Sequence, residues 1–172
     1  MLKLCPLISI AAVSLTFSLG ISSPSLAQTN WEDVEIKAQH LEGGIFDLFG
    51  AGGNIGVSVG SDGIIMIDDQ YAPLTPKILA AIKEISDGDV KFLINTHSHG
   101  DHTGGNENLG EGGTIIVAHD KLRARLKDTP FRQPGMAEAR LIKSVGLPVL
   151  TFNDKMSFHL NGDNARAHHV PN

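Results

Sequence analysis

Apolar positions along the chain follow two periods, and the change from one to the other marks out its elements. Residues 31–41 alternate loosely, with Val34, Ile36 and Ala38 on one side, and predict an opening strand. Ile45–Phe49 and residues 54–59 predict two further strands, joined by the flexible turn Gly50-Ala51-Gly52-Gly53. Ser61-Asp62-Gly63 is a tight turn with glycine where a positive φ is needed. Ile64-Ile65-Met66-Ile67 is a continuous apolar run, the pattern of a strand buried on both faces, and it ends in Asp68-Asp69. The period then lengthens. Thr75-Pro76 opens a helix, with Thr75 as its cap and Ile78, Leu79, Ile82 and Ile85 as its apolar stripe. Asp87-Gly88-Asp89 ends it, and Val90–Ile94 is the next buried strand. Apolar strands on either side of a helix predict a parallel crossover.

The remainder repeats the alternation. Residues 107–113 read as a glycine-rich connection, 114–118 as a strand, and 119–126 as a helix with Leu122 and Leu126 one turn apart. Residues 129–134 read as loop and 136–145 as a short helix, broken by Gly146-Leu147-Pro148. Leu150–Phe152, residues 156–160 and residues 165–170 return to strand, with Asn161-Gly162 as a hairpin signal. The fold class is α/β (α+β), with meander-like strands at both ends.

The first 27 residues stand outside this pattern. Lys3, an apolar stretch over 7–21, and Ser25-Leu26-Ala27 predict a signal peptide cut between Ala27 and Gln28. The apolar stretch is short for a membrane span. The protein is expected in the periplasm or outside the cell, with no stable membrane anchor after cleavage. Residues 28–172 then form one domain without cysteine, because Cys5 is the only one in the sequence. Disulfides and thiolate ligands are thereby excluded from residues 28–172. The hydrophobic content of 41% suffices for a core, and the net charge of −5 gives no electrostatic case for nucleic acid. Lys121, Arg123, Arg125 and Lys127 form a basic cluster that reads as a solvated helix face.

The densest chemistry follows the buried strand Val90–Ile94. His97-Ser98-His99-Gly100-Asp101-His102 places three imidazoles and a carboxylate within six residues. His97 and His99, two apart, can turn to one point; Asp101 and His102 reach a second point nearby. Such nitrogen and oxygen sets suit zinc, iron or manganese. Gly100, Gly104 and Gly105 allow close backbone approach. The C-terminal end of a strand in an α/β sheet is where such folds place ligands.

The motif His-x-His-x-Asp-His, with Thr103-Gly104-Gly105-Asn106 after it, resembles the signature of the metallo-β-lactamase superfamily. The resemblance covers the chain from about residue 38 and implies the αββα sandwich of that family. It further implies two zinc ions, the first on His97 and His99 and the second on Asp101 and His102, with iron as the alternative metal. Asp68 matches the family's buried aspartate that orients a ligand histidine, with Asp69 as a competing candidate. The implied reaction is metal-assisted hydrolysis of a small molecule carrying an ester, thioester, lactone or β-lactam carbonyl, with Asp101 both ligand and proton carrier. An iron-dependent oxidoreductase is the alternative, and an inactive fragment the third reading.

The family also draws a third histidine, a bridging aspartate and a last histidine from later in its fold. His169-Val170-Pro171-Asn172 resembles the approach to that third histidine, so His168 and His169 read as residues just before a ligand. On this reading the chain is the N-terminal part of the sandwich, ending before its ligand set is complete. His119 reads as a helix-start residue beside Asp120, His159 as a hairpin residue and His40 as a surface one.

Overall fold

The structure is a computed structural model and describes residues 29–171. The signal peptide expected over residues 1–27 lies outside the described residues. Asn30 caps a short 3-10 turn at Trp31–Asp33, and the chain then enters strands β1 (Lys37–Glu42), β2 (Ile45–Phe49), β3 (Ile55–Gly60) and β4 (Gly63–Ile67). Helix α1 (Thr75–Ile85) leads to β5 (Val90–Ile94). Two short helices, α2 (Gly100–Thr103) and α3 (Asn106–Glu111), lead to β6 (Ile115–His119). Helix α4 (Asp120–Asp128) and an extended strap precede β7 (Leu150–Phe152), and the hairpin β8 (Lys155–Leu160) and β9 (Asp163–His168) follows.

Seven strands make one sheet in sequential order, β1 to β7. The first three pairings are antiparallel, as short turns allow, and the next three are parallel, each spanned by helix or strap. Strand alternation sorts the apolar residues into two layers. Ile64, Met66, Leu93 and Ile116 face the helix layer with Ile78, Ile82 and Leu109. Ile65, Ile94 and Val117 face the opposite way, against Phe158 of the hairpin. The described layers are thus helices, a seven-stranded sheet and a two-stranded sheet, as the α/β reading and the sandwich resemblance predict.

Several local expectations are corrected. The opening strand begins only at Lys37. Before it, the Lys77 ammonium donates to the carbonyls of Trp31, Glu32 and Val34 at 2.9, 2.7 and 2.9 Å and holds the segment in a turn. Thr75 is the first residue of α1, not its cap, and its hydroxyl oxygen accepts from Asn108 Nδ2. Leu79 lies off the buried stripe, and Ile67 at the end of β4 is 40% exposed. The glycine-rich connection is largely helix: α3 buries Leu109, while Gly110 passes so close to the Val145 carbonyl that no side chain fits.

The helix expected over residues 136–145 is absent. Phe131 and Arg140 pair as an isolated antiparallel bridge, and only Ser144–Gly146 makes a 3-10 turn. Glu107 explains the difference. Its carboxylate takes both Arg140 guanidinium nitrogens at 2.7 Å and the Lys143 backbone N–H at 2.7 Å, bonds that an isolated ten-residue helix cannot match.

Candidate metal centre

Parallel pairing of β4 with β5 decides where the site lies. Ile67 is in register with Ile94, so the first residues past both strands, Asp68 and Asn95, emerge side by side. Two backbone bonds extend the ladder there, Asp68 N–H to the Ile94 carbonyl and Asn95 N–H to the Val117 carbonyl, both 3.0 Å. The chain beyond β5 then turns back through His97 and His99 into α2. His99 is its N-cap position, while Asp101 and His102 lie within it, so the motif expected as a loop is half helical.

Asp68 organises the loop. It is 4% exposed and adopts a left-handed φ of 61°, a conformation costly for a non-glycine residue. Its Oδ1 accepts the Thr96 backbone N–H at 2.8 Å. Its Oδ2 accepts the Thr96 hydroxyl at 2.6 Å and His102 Nδ1 at 2.7 Å. These bonds settle two tautomers. His102 carries its proton on Nδ1 and leaves the Nε2 lone pair free. The Thr96 hydroxyl, having given its proton to Asp68, can only accept from His97 Nδ1 at 3.0 Å, which leaves the His97 Nε2 lone pair free as well. One carboxylate thus orients both rings, His102 directly and His97 through Thr96.

The free lone pairs meet partners of the right kind. His97 Nε2 lies 3.1 Å from His99 Nδ1, and His102 Nε2 lies 3.4 Å from Asp101 Oδ2. Two ligands at about 2.05 Å from a tetrahedral ion stand roughly 3.3 Å apart. Both pairs fit that separation, and both consist of nitrogen or oxygen donors. Partial burial and the nearness of the His102 and His99 imidazoles lower the His97 pKa from its ordinary value. Ligand atoms of Asp68, His97 and His102 also lie within 4.8 Å of one another. Asp68 is the orienting member of that trio, because its two oxygens already accept three hydrogen bonds.

A second layer of buried polar groups supports the motif. Asn95 and Asn106 are paired through both amides at 3.0 Å; Asn95 also donates to the His102 carbonyl and Asn106 to the Gly146 carbonyl. Asp69 accepts the Gly105 N–H at 3.0 Å, and its other oxygen, Oδ2, has no partner among the described residues. Burial raises the Asp69 pKa well above the usual carboxylate range, with the Asp68 charge adding to the rise. Asp69 therefore braces the backbone at Gly105, and the carboxylate bonded to His102 is that of Asp68.

The connection Gly50–Gly53 joins β2 to β3, as the sequence predicts, and it also lies over Asp101 and His102. Thr96, which links Asp68 to His97, and Gln70, whose side chain bonds to the Gly53 carbonyl and the Ala51 N–H, are two contributors that sequence reasoning passed over. The signal available was a glutamine directly after Asp68-Asp69 at the end of an apolar strand, a place where an uncharged polar residue is buried only if it is bonded.

The other histidines are arranged as follows. His119 caps α4 through Nδ1, which accepts the Lys121 N–H at 3.1 Å, in keeping with its helix-start reading. His169 stacks on it with ring centroids 4.0 Å apart. Both line a cleft of about 700 Å³ that also contains His97 and Ser98. His168 lines the same cleft. His40 and His159 are exposed.

The sequence model of the metallo-beta-lactamase superfamily matches residues 49–172. The chain belongs to that superfamily. Among solved structures, it is similar to BJP-1, a subclass B3 metallo-beta-lactamase of Bradyrhizobium japonicum, with 20% identity and a TM-score of 0.67 over 83% of this chain and 55% of that one. It is also similar to the class B3 di-zinc metallo-beta-lactamase LRA-12 from an Alaskan soil metagenome (16% identity, TM-score 0.64, 80% and 53% covered). FEZ-1 from Legionella gormanii gives 18% identity and a TM-score of 0.62, with 74% and 50% covered. At these identities the likeness is one of fold, and the chain spans about half the length of these structures. No curated protein sequence matches the chain. The metallo-β-lactamase fold read from the motif is thus confirmed, and the motif lies inside the matched span.

Proposed function

We propose that this chain carries the first ligands of a two-ion hydrolytic centre, with His97 and His99 holding one ion and Asp101 and His102 the other. The observation that supports this most is the pair of donor separations, 3.1 and 3.4 Å, each on a ring nitrogen whose lone pair Asp68 leaves free. Zinc is the proposed metal. When bound, such ions bring the pKa of a water to about 7 and polarise a substrate carbonyl.

The protein's own groups have distinct parts in this reading. Asp68 keeps the His102 proton on Nδ1 and, through Thr96, the His97 proton on Nδ1, so neither Nε2 needs to be deprotonated before binding. Asp101, 3.4 Å from His102 Nε2, holds negative charge beside that lone pair and serves as the group that can take a proton from substrate or water. The cleft beside His97 admits a small molecule, and an ester, thioester, lactone or β-lactam is the proposed substrate class. Any further ligands belong to the part of the fold that the solved relatives have and this chain does not span. Residues 1–27 are proposed as a signal peptide directing the protein to the periplasm or outside the cell. Among the described residues no helix is long and apolar enough to cross a membrane.

Elemental analysis of the purified protein, paired with assays on an ester, a lactone and a chromogenic β-lactam, tests the proposal. Stoichiometric zinc with turnover of at least one substrate supports it. Bound iron with oxygen consumption would replace the hydrolase by an oxidoreductase on the same ligands.

A further inference from the structure

We infer that Gln70 is a positioning residue that clamps the Gly50–Gly53 connection over the Asp101–His102 pair, and so sets the affinity of that pair for its ion without touching the His97–His99 pair. The inference rests on the two-pair reading above and adds to it a residue outside the motif.

Gln70 is 0% exposed and takes a left-handed φ of 54°. Long side chains seldom adopt that conformation, and they hold it only where surrounding bonds compensate. Here they do. The side-chain Nε2 donates to the Gly53 carbonyl at 2.6 Å, and Oε1 accepts the Ala51 N–H at 3.2 Å. The Gln70 carbonyl accepts the Gly104 N–H at 2.9 Å, just past α2. Gln70 is therefore tied to the motif through its backbone and to the glycine connection through its side chain.

The connection it holds sits directly on the second pair. A Cβ at Gly52 would stand 2.5 Å from the Asp101 Cβ, and one at Gly53 would stand 2.6 Å from His102 Nε2. Only glycine allows this approach. His97 and His99 have no comparable contact from the glycines of this connection. The height of the connection over His102 Nε2 thus limits the room left for anything bound there, and the Gln70 amide fixes that height. Outer partners of this kind change metal affinity by about 10–100-fold when removed.

The test uses Gln70→Ala and Gln70→Glu in the full chain. The first deletes both side-chain bonds. The second keeps the size but sets a carboxylate oxygen against the Gly53 carbonyl. Zinc is titrated against a chelator, with Asp101→Ala and His99→Ala identifying the two binding steps. Both Gln70 variants are expected to weaken the step that Asp101→Ala removes by about tenfold or more. The step that His99→Ala removes should stay within about threefold in each. Equal weakening of both steps, or of neither, overturns the clamp.

A metal-free readout separates this from the two-pair reading. The ring nitrogen NMR signals of His102 are expected to move in both variants while those of His97 do not. If the unaltered protein takes no zinc, the two-pair reading fails, and the clamp is judged on these signals alone: both rings unmoved, or both moved alike, refutes it. Gly53→Ala strikes the same contact from the connection side and must reproduce the His102 shift. Its failure to do so, in a variant that still melts cooperatively, counts against the clamp.

Discussion

The motif loop and the β8–β9 hairpin flank the same cleft, yet they are held by different forces. Around the motif, buried polar side chains bond to backbone: Asp68 to Thr96, Asp69 to Gly105, Asn95 to the His102 carbonyl and Glu107 to Lys143. The hairpin instead rests Phe158, Met156, Leu160, Ala165 and Ala167 on Ile65, Ile94 and Val117. Its side-chain anchorage to the large sheet is local, at the turn, where Asn161 and Asp62 exchange bonds of 2.7 and 3.1 Å. Apolar contact is non-directional and tolerates small displacements, whereas hydrogen bonds fix atoms in place. The side carrying the candidate ligands is therefore preorganised, and the opposite wall is adjustable.

The largest effect is expected from Asp68→Ala. It leaves the Thr96 and His102 donors unbonded, costs about 3 kcal/mol, and weakens zinc binding by about 10–100-fold. Chemical denaturation and zinc titration of one sample measure both. A loss of stability with zinc affinity intact would detach the orienting carboxylate from the site. Phe158→Ala sharpens the contrast from the other side. It is expected to cost about 3 kcal/mol by opening a cavity under the hairpin, yet leave zinc affinity at the motif unchanged within error.

Glu107→Gln probes the motif side through pH. Hydrogen bonding from Arg140 holds the Glu107 pKa below its ordinary value of 4.5, against a smaller opposing effect of burial. A folded pKa below the unfolded one adds stability that is fully present above about pH 4.5 and lost as pH falls through the depressed folded value. At neutral pH the substitution is expected to cost about 1.5 kcal/mol, allowing for the half-exposed Arg140. Melting curves across the acid range should show the two proteins converging; a constant gap down to the most acid samples would contradict the ion pair. The smallest effect, about 1 kcal/mol, is expected for Asn161→Ala. Hydrogen exchange should place it in the hairpin and not in the motif.

The same contrast explains what the sequence made legible. The β4–α1–β5 crossover could be read because apolar runs and a 3.6-residue stripe are local signals. The motif was legible because its ligands are neighbours in sequence and because the pattern resembles a known family. What escaped depends on bonds between distant residues. The strap over 136–145 is extended because Glu107, some thirty positions earlier, captures Arg140 and Lys143. Residues 31–34 are turned because Lys77 gathers their carbonyls. Gln70 and Thr96 act through geometry that appears only when β4 and β5 lie side by side. In each case a side chain overrides the local pattern from across the fold, and no window of neighbouring residues contains both partners.

Metal retention tests the ligand assignment most directly. Zinc per chain is measured after exhaustive dialysis for the unaltered protein, His97→Ala, Asp101→Ala and the surface control His40→Ala. The unaltered protein and His40→Ala are expected to hold zinc equally, while His97→Ala and Asp101→Ala each retain less, having lost the ion of their own pair. Unchanged zinc in His97→Ala and Asp101→Ala together would contradict the ligand assignment.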